Sequence, residues 1–328
     1  MYLLITIDTE GDNPWAGKGY DKFTKNAHFL PRFQQTCDKF GYKPTYLTTY
    51  EMANDEFFTE FARDALNRQA CEIGTHPHAW NTPPEYKLTS DDMKFHPYLT
   101  EYPENVMREK VKTLTKVLEA TFNKTMYSHR AGRWGFNELY AQILVDFDYR
   151  VDCSVTPYET WKSSKGDPKA NGGPDFRHFP SEPYFLDVKD IARCGDSPLL
   201  EIPVTLIRRY GKILWPIYTK CIPQGSKPAR FLFKRVFGQS VEWFRPARGR
   251  LGTLMNVAQK KLDDNADYIM FMLHSCELMP GGSAQFRTEA DIDRLYAAIE
   301  ETFQWLYEHG VKGLTCHEYH EVFTAAKT

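Results

Sequence analysis

Short apolar runs alternate with amphipathic stretches along most of this chain. Such runs are typical of buried strands, whereas apolar residues that recur three and four positions apart are typical of helices. The candidate strands are Tyr2–Ile7, Thr45–Thr48, Cys71–Gly74, Met126–Ser128, Val151–Ser154, Leu199–Val204, Tyr268–Leu273 and Gly313–Cys316. Strands that alternate with helices predict an α/β fold with a parallel sheet, either open or closed into a barrel. In both forms the functional side chains gather at the carboxyl ends of the strands.

Two amphipathic helices are especially clear. Their apolar faces consist of Met107, Val111, Leu114, Leu118 and Phe122 in one helix and Ile292, Leu295, Ile299, Phe303 and Leu306 in the other. The second helix has a capping pattern at Thr288 with Asp291 three residues later, and Gly310 supplies a stop signal. Both segments support the predicted alternation of strands and helices.

Two segments interrupt this alternation. Residues 156–198 are rich in Pro, Gly, Ser, Lys and Asp, which predicts a loop inserted in the domain. Residues 206–252 combine aromatic residues with a single acid, Glu242, and with eleven basic residues: Arg208, Arg209, Lys212, Lys220, Lys227, Arg230, Lys234, Arg235, Arg245, Arg248 and Arg250. This basic aromatic insertion suits an anionic partner such as a membrane surface, a phosphate or a pyrophosphate. The alternative is a solvated basic insertion whose aromatic rings pack on the domain.

The composition limits the class of protein. The 328 residues suffice for one α/β barrel with insertions, so we expect a single domain over residues 1–328. The net charge of −2 and the absence of a binding motif argue against a nucleic-acid partner. The seven cysteines form no CxxC pair, which argues against a disulfide framework and a zinc ribbon. With no signal-peptide or membrane-span pattern, we expect a cytoplasmic protein that can associate with the inner face of the membrane.

Two carboxylates follow the first apolar run. Asp8 and Glu10 are spaced two apart, so both point to one side of the strand end. Two acids at the end of a buried strand repel each other and cost desolvation energy unless a cation or a proton separates their roles. A metal on one acid and a catalytic proton on the other would meet this requirement. The alternative is a strand that ends in a polar turn at Gly11 and Asp12.

A pair of histidines follows the third candidate strand. His76 and His78 are two apart in extended chain, so their rings can face the same way. Imidazole is the commonest nitrogen ligand of zinc, and with one carboxylate these rings would give three protein ligands and an open position for water. The alternative is a pair of surface histidines in a proline-rich turn.

Other predicted strand ends also carry polar residues. Arg130 and Arg133 flank a small-residue turn, where an arginine could hold a neighbouring carboxylate ionised; the alternative is a surface loop. Asp152 is either an orienting acid or a turn aspartate. His274 ends a strongly apolar strand, with Glu277 three residues later. A general acid is expected at such a position, and the alternative is a histidine that caps the strand.

Taken in order, these clusters resemble the polysaccharide deacetylase family, the NodB-homology carbohydrate esterases. The motifs that carry the resemblance are the Asp-x-Glu start, EIGTHPHAWNTPP, SHRAGRWG and LHSCELMPGG, and together they span most of the chain. The sequence looks closest to the cytoplasmic branch that acts in glycan biosynthesis. The resemblance implies a distorted (β/α)7 barrel that binds one divalent metal, usually zinc.

The resemblance also implies roles for individual residues. By motif position the catalytic residues are Asp8 as base, Arg130 as the partner of that base, Asp152, and His274 as general acid; the metal ligands are Glu10, His76 and His78; and the substrate contacts are Trp80, Arg133, Trp134 and Glu277. The sequence departs from the family pattern twice. The usual second histidine lies four residues after the first, at Trp80 here, so its role is assigned to His78. The acid expected three residues after Asp152 is Val155, which leaves the orientation of His274 unexplained.

The function implied is metal-assisted amide hydrolysis. The expected substrate is an acetamido sugar of a surface glycan or of its lipid-linked, phosphorylated or nucleotide-linked precursor. Two alternatives remain open: a deformylase that acts on a lipid-linked amino sugar, and an inactive barrel that serves as a glycan- or membrane-binding module. The missing second histidine and the missing acid at Val155 favour the inactive barrel.

Overall fold

The structure is a computed structural model that describes residues 1–12, 23–209, 214–218, 222, 226–237 and 240–327, with backbone alone at 216, 227, 230, 234 and 237. In the basic segment, Lys212 and Lys220 therefore lie outside the described residues. The strands are β1 (Tyr2–Thr9), β2 (Pro44–Thr48), β3 (Glu72–Thr75), β4 (Ser128–His129), β5 (Val151–Asp152), β6 (Tyr184–Asp187), β7 (Asp190–Cys194), β8 (Leu200–Glu201), β9 (Leu206–Arg208), β10 (Val241–Trp243), β11 (Tyr268–His274) and β12 (Lys312–Leu314). The helices are α1 (Leu30–Asp38), α2 (Tyr50–Ala53), α3 (Glu56–Asn67), α4 (Asp92–Phe95), α5 (Glu104–Phe122), α6 (Glu138–Asp146), α7 (Leu214–Pro216), α8 (Lys227–Phe237), α9 (Thr253–Asp263), α10 (Glu289–Glu308) and α11 (Cys316–Ala325).

Parallel strands form the centre of the main sheet, in the order β11–β1–β2–β3–β4–β5–β8. Strand β12 also pairs parallel with the start of β1, and antiparallel β6 and β7 extend the sheet beyond β8. The curled sheet is covered by helices, which confirms the predicted α/β fold of the distorted NodB type.

The segment after β8 bridges the two ends of the central sheet. The Met270 backbone N–H donates to Thr205 Oγ1 at 2.8 Å, and the Tyr268 hydroxyl donates to the Pro203 carbonyl at 2.6 Å. These contacts join β11 to the chain beyond β8, although among the described residues no strand ladder links the two. The barrel is therefore distorted at this point, as expected for the predicted architecture.

The central strands are buried on both faces. In β1 every residue from Leu3 to Thr9 is buried, and in β11 every residue from Tyr268 to Leu273 is buried. Parallel strands that are covered on one face by helices and fill the barrel interior with the other are buried in this way. The capping pattern that opens α10 is also present: Asp291 N donates to Thr288 Oγ1 and Thr288 N donates to Asp291 Oδ2, both at 3.2 Å. The apolar pattern thus predicted these elements correctly.

Two predicted elements need correction. Residues 156–198 are not a loop throughout, because β6 and β7 form a hairpin there, and β6 pairs with β8 at the sheet edge. The alternating burial of Tyr184 and Leu186 is the two-residue period that marks such a half-buried strand. The last predicted strand is shorter than expected, since the Thr315 hydroxyl accepts the Glu318 N–H and begins α11.

The segment 206–252 leaves and rejoins the sheet through a second hairpin. Strands β9 and β10 pair antiparallel, and helices α7 and α8 lie between them in sequence. In the part of the chain that the structure describes, no helix is both long enough and apolar enough to span a membrane.

A substitution at Gly74 tests how closely β3 packs against its neighbouring strands. A Cβ atom at Gly74 would lie 2.6 Å from the Ser128 carbonyl oxygen and 2.8 Å from Leu47 Cδ2. We expect Gly74→Ala to lower the free energy of unfolding by roughly 1–3 kcal/mol, because the backbone of β4 must move. The matched control is Gly252→Ala, where φ is −62° and a Cβ would meet nothing within 4 Å. Chemical denaturation measures both variants, and equal stabilities would contradict this account of β3.

Candidate active site

The carboxyl ends of β1, β3, β4 and β11 bring the predicted polar residues together. The parallel register places Asp8 beside His274 and Thr75 beside His129. The residues that follow Thr75 and His129 are His76 and Arg130, and they meet directly, since His76 Nδ1 lies 2.8 Å from the Arg130 carbonyl oxygen. Sheet register alone thus assembles a site from segments far apart in sequence.

Three buried side chains form a candidate metal centre. Glu10, His76 and His78 each offer a ligand atom, and these atoms lie within 4.8 Å of one another. The two Nε2 atoms are 3.2 Å apart, and Glu10 Oε2 lies 3.3 Å from Nε2 of His78 and 3.8 Å from Nε2 of His76. Tetrahedral zinc with bonds of about 2.0–2.1 Å separates its ligand atoms by about 3.3–3.4 Å. The donor set and its spacing therefore fit a divalent metal.

The protonation states of the two histidines also suit metal binding. Burial lowers the pKa of His76 to about 4 and lowers that of His78 well below its ordinary value, so both rings are neutral at pH 7. The carbonyl of Arg130 accepts the Nδ1 proton of His76, which leaves the Nε2 lone pair directed at the centre. A neutral imidazole held in this way is the ligating form.

Asp8 lies next to this centre and is paired with Arg130. Arg130 is fully buried and donates from Nη1 to Asp8 Oδ1 at 2.5 Å, from Nη2 to Thr6 Oγ1 at 3.0 Å and from Nε to the Cys153 carbonyl at 2.9 Å. Burial raises the pKa of Asp8, but the Arg130 charge, aided by two nearby histidines, outweighs burial and lowers that pKa. Asp8 is therefore a carboxylate at neutral pH. Its second oxygen, Oδ2, faces the centre.

His274 completes the cluster from the other side. Its Nε2 lies 3.7 Å from Asp8 Oδ2 and 3.8 Å from Glu10 Oε1. Its Nδ1 lies 2.8 Å from Arg245 Nη2 and 3.3 Å from Glu277 Oε2. Two of the residues that we assigned to catalysis, Asp8 and His274, thus share the open side of the candidate metal centre.

Three of the assigned residues are engaged by other side chains of the protein. Asp152 does not touch His274; its Oδ1 pairs with His129 Nδ1 at 2.6 Å, because β4 and β5 place these two residues in register. Glu277, assigned to substrate, is buried and contacts His274 instead. Trp80, also assigned to substrate, packs its ring on His78 with centroids 4.4 Å apart.

Asp152 instead belongs to a buried polar group behind the site. Ser154 Oγ donates to Asp152 Oδ1 at 2.9 Å and accepts the Ala131 N–H at 2.8 Å. Burial and the neighbouring Asp152 charge raise the pKa of Glu201 well above its ordinary value, and Glu201 Oε1 accepts the Val155 N–H at 3.0 Å. These contacts fix the turn that follows Arg130. Asp152 is therefore linked to the backbone of that turn through Ser154.

A cleft of about 330 Å³ opens over the cluster. Its walls include Asp8, His76 and His274, together with Arg133 and Trp134. Sequence analysis did not assign the other wall residues to the site, among them Tyr98, Trp161 and Arg245. The rings of Trp134 and Trp161 stack at 6.2 Å with an interplanar angle of 18° and form an aromatic wall. Only the charge of the basic segment could have indicated Arg245, and no motif marks Tyr98 or Trp161.

Comparison with known proteins reveals similarity in structure. No protein-family model and no curated protein matches this chain. A protein of Mycobacterium smegmatis provisionally assigned as a polysaccharide deacetylase matches with 16% identity and a TM-score of 0.56, over 99% of this chain and 91% of the other. A provisionally assigned glycoside hydrolase/deacetylase of Parabacteroides distasonis matches with 9% identity and a TM-score of 0.63, over 98% and 70%.

The chain therefore has the fold of the polysaccharide deacetylases, which confirms at the level of the fold the resemblance seen in its motifs. A GH57 branching enzyme of Thermococcus kodakaraensis also matches, with 10% identity and a TM-score of 0.51, over 98% of this chain and 70% of that one. Because one fold accommodates both kinds of protein, the reaction must be inferred from the side chains of the site.

Glu277 gives a pH-dependent test of the site. Burial raises its pKa, but Arg245 and His274 outweigh burial and lower it to about 2. Because the pKa of Glu277 is lower in the folded protein, its ionised carboxylate stabilises the fold at every pH above the unfolded-state pKa near 4.5. This stabilisation is lost as the pH falls toward 2. We expect Glu277→Gln to lower the free energy of unfolding by roughly 2–3 kcal/mol at pH 7 and by much less at pH 3.

Denaturant titrations at several pH values measure this difference. Asp64→Asn is the matched control, because Asp64 pairs with Arg68 on the surface with its side chain 70% exposed. A loss of stability for Glu277→Gln that is the same at pH 7 and pH 3 would contradict the assigned charge state.

Proposed function

We propose that this protein is a metal-dependent hydrolase that removes the N-acetyl group from an acetamido sugar. The substrate is a surface glycan or its lipid-linked or nucleotide-linked precursor. The observation that carries the proposal is the placement of Glu10, His76 and His78 around one point beside the Asp8–Arg130 pair. The deacetylase fold supports the same class of reaction. The proposed metal is zinc, since two imidazoles and a carboxylate are its usual ligands at catalytic sites.

Each side chain then has a separate task. A zinc ion held by the three ligands supplies Lewis acidity for the acyl oxygen and for the attacking water. Asp8 Oδ2 takes the proton of that water, and Arg130 keeps Asp8 ionised before the transfer. Nε2 of His274 faces the same space and donates a proton to the leaving nitrogen. The aromatic wall of Trp134 and Trp161 excludes water and packs on the sugar.

The site argues against the glycosidic-bond chemistry of the branching enzyme. That chemistry uses a protonated and an ionised carboxyl group on either side of the scissile bond. Here Arg130 holds Asp8 ionised, and Glu10 Oε2 lies 3.3 and 3.8 Å from two imidazole nitrogens. Glu10 is thus placed as a ligand, and neither acid is placed as a proton donor. Amide hydrolysis uses both carboxylates as the structure places them.

Metal content and product mass test this proposal and its two alternatives. We expect the purified protein to bind about one zinc ion per chain and to release acetate from an acetamido sugar. His76→Ala and His78→Ala should lose both properties, because each removes one of three ligands. His309→Ala is the control, since His309 is exposed and its ring contacts Trp305 with centroids 4.0 Å apart.

Release of formate in place of acetate would identify the deformylase. A protein without bound metal that releases neither acid would identify the inactive binding module.

The basic segment is the proposed contact with the cytoplasmic face of an anionic membrane, where a lipid-linked substrate would be met. Helix α8 has four basic residues in its eleven-residue sequence and no acid. Its Phe231, Leu232 and Val236 are 67%, 62% and 65% exposed. Exposed apolar side chains on a basic helix are typical of binding in the plane of an anionic bilayer. Charge and apolar exposure thus favour a lipid surface over a solvated insertion.

The segment is also continuous with the cleft. Phe233 packs on Tyr218 at 5.5 Å, and Trp215 packs on both Tyr218 at 6.3 Å and Tyr158 at 5.7 Å. At the base of the segment, Trp243 lies 6.0 Å from Trp134, a wall residue of the cleft. A lipid carrier bound along α8 would thus hold its sugar near the candidate active site.

Vesicle binding tests the membrane contact. We expect the protein to sediment with vesicles that contain phosphatidylglycerol, more weakly at high salt, and not with pure phosphatidylcholine. The triple variant Phe231→Ser, Leu232→Ser, Val236→Ser should lose this binding, whereas Tyr307→Ser, which removes a 56% exposed ring from α10, should retain it. Undiminished binding of the triple variant would refute the role of α8. Arg208 and Arg209 are poorer targets, since Arg208 packs on Tyr158 and Arg209 lies 3.3 Å from Glu242.

A further inference from the structure

We propose that Arg245 and Glu277 are positioning residues that orient His274 and fix which of its ring nitrogens carries the proton. The inference rests on the proposed function, because it takes His274 as the proton donor. It supplies a partner for His274 that the motifs lack. The family pattern has an acid at position 155, but this chain has the buried apolar residue Val155 there. Asp152 cannot replace that acid, because its carboxylate is engaged by His129 and Ser154.

The three side chains form a closed triangle. Arg245 Nη2 lies 2.8 Å from His274 Nδ1 and 3.0 Å from each carboxylate oxygen of Glu277. Glu277 Oε2 lies 3.3 Å from the same His274 Nδ1. All of these contacts are made to Nδ1, on the far side of the ring from Asp8 and Glu10. The ring is therefore held from behind, with Nε2 directed at the reacting groups.

Both partners of His274 are fixed by the backbone. Glu277 Oε2 accepts the backbone N–H of His274 at 3.0 Å, within the 3-10 turn Ser275–Leu278 that begins where β11 ends. Arg245 follows Phe244, whose N–H donates to the Thr205 carbonyl at 3.0 Å and whose carbonyl accepts the Met272 N–H at 3.3 Å. The basic segment thus returns to β11 at the point that delivers Arg245 to the site.

The contact of Arg245 selects a tautomer of His274. A guanidinium group only donates hydrogen bonds, so the neutral ring accepts at Nδ1 and must carry its proton on Nε2. The general acid itself is the doubly protonated ring, whose Nε2–H faces the reacting groups and leaves the ring neutral, with its remaining proton on Nδ1, after the transfer. When the ring is doubly protonated, Nδ1–H donates to the Glu277 carboxylate instead. Arg245 and Glu277 therefore support the neutral and the charged ring in the same orientation.

Arg245 also lines the cleft, so contact with substrate is the competing role. The two roles differ in what they change. A substrate contact that is equal in the ground state and the transition state changes KM, whereas misorientation of the proton donor changes kcat. The position of the ring proton depends only on the orienting role. These differences define the experiment.

The experiment compares Arg245→Ala, Arg245→Lys and the control Arg248→Ala in the zinc-loaded protein. Arg248 lies three residues on with its side chain 54% exposed, and its nearest acid, Asp291, is 3.7 Å away. We expect Arg245→Ala to lower kcat by roughly 10- to 100-fold with KM within about twofold of the parent and zinc content unchanged. Added guanidinium at millimolar concentration should restore part of the activity of Arg245→Ala. Arg245→Lys should recover little activity, because one ammonium group cannot reproduce the planar set of donors of a guanidinium. Arg248→Ala should match the parent.

Nitrogen-15 NMR of the His274 ring gives a second readout that needs no turnover. At pH 8 the parent should show Nε2 protonated and Nδ1 unprotonated, and Arg245→Ala should show a mixture of the two tautomers. A parent-like tautomer in Arg245→Ala, or a rise in KM with unchanged kcat, would overturn the inference and leave Arg245 as a substrate contact. If the parent itself releases no acid from any acetamido sugar, the proposed function fails, and the tautomer measurement still decides whether Arg245 fixes the ring.

Discussion

The structure of the site depends on one requirement: the negative charges of two buried carboxylates at the end of β1 need favourable partners. Asp8 and Glu10 are both at most 2% exposed. A buried carboxylate without a partner is unfavourable by several kcal/mol, so each must be neutralised locally. Asp8 meets Arg130 from the segment after β4, and Glu10 meets two imidazoles from the segment after β3. The sheet order β1–β2–β3–β4 is what brings these partners within reach.

The two carboxylates are compensated in different ways, and this difference separates their roles. Arg130 is covalently part of the protein and makes hydrogen bonds to three acceptors, so the charge of Asp8 is stabilised permanently. Neutral imidazoles carry no charge to offset Glu10, and the Nε2 lone pair of His76 is directed at the centre. Glu10 is therefore suited to hold a cation, and Asp8 to exchange a proton.

Sequence patterns predicted most of the sheet and half of the site for one physical reason. Residues that share a strand end are fixed by the backbone, so Asp8 with Glu10 and His76 with His78 could be placed from their spacing alone. Extended chain after β3 also explains why the second histidine is two residues on, since the two-residue period brings His78 beside His76. Trp80 lies in the turn that follows and packs on His78. The hairpin of β6 and β7 was missed because turn-forming residues dominate its surroundings.

The remaining half of the site depends on contacts that no local pattern encodes. Arg245 is 29 residues from His274 and belongs to a segment whose charge suggested a partner outside the protein. One arginine of that segment instead lies in the cleft, placed there by the backbone hydrogen bonds of Phe244 with Thr205 and Met272. The segment thus joins a basic, apolar exposed surface to the side chain that contacts His274. It cannot be exchanged as a mere surface loop, because its removal would take Arg245 from the candidate active site and Trp243 from its contact with Trp134.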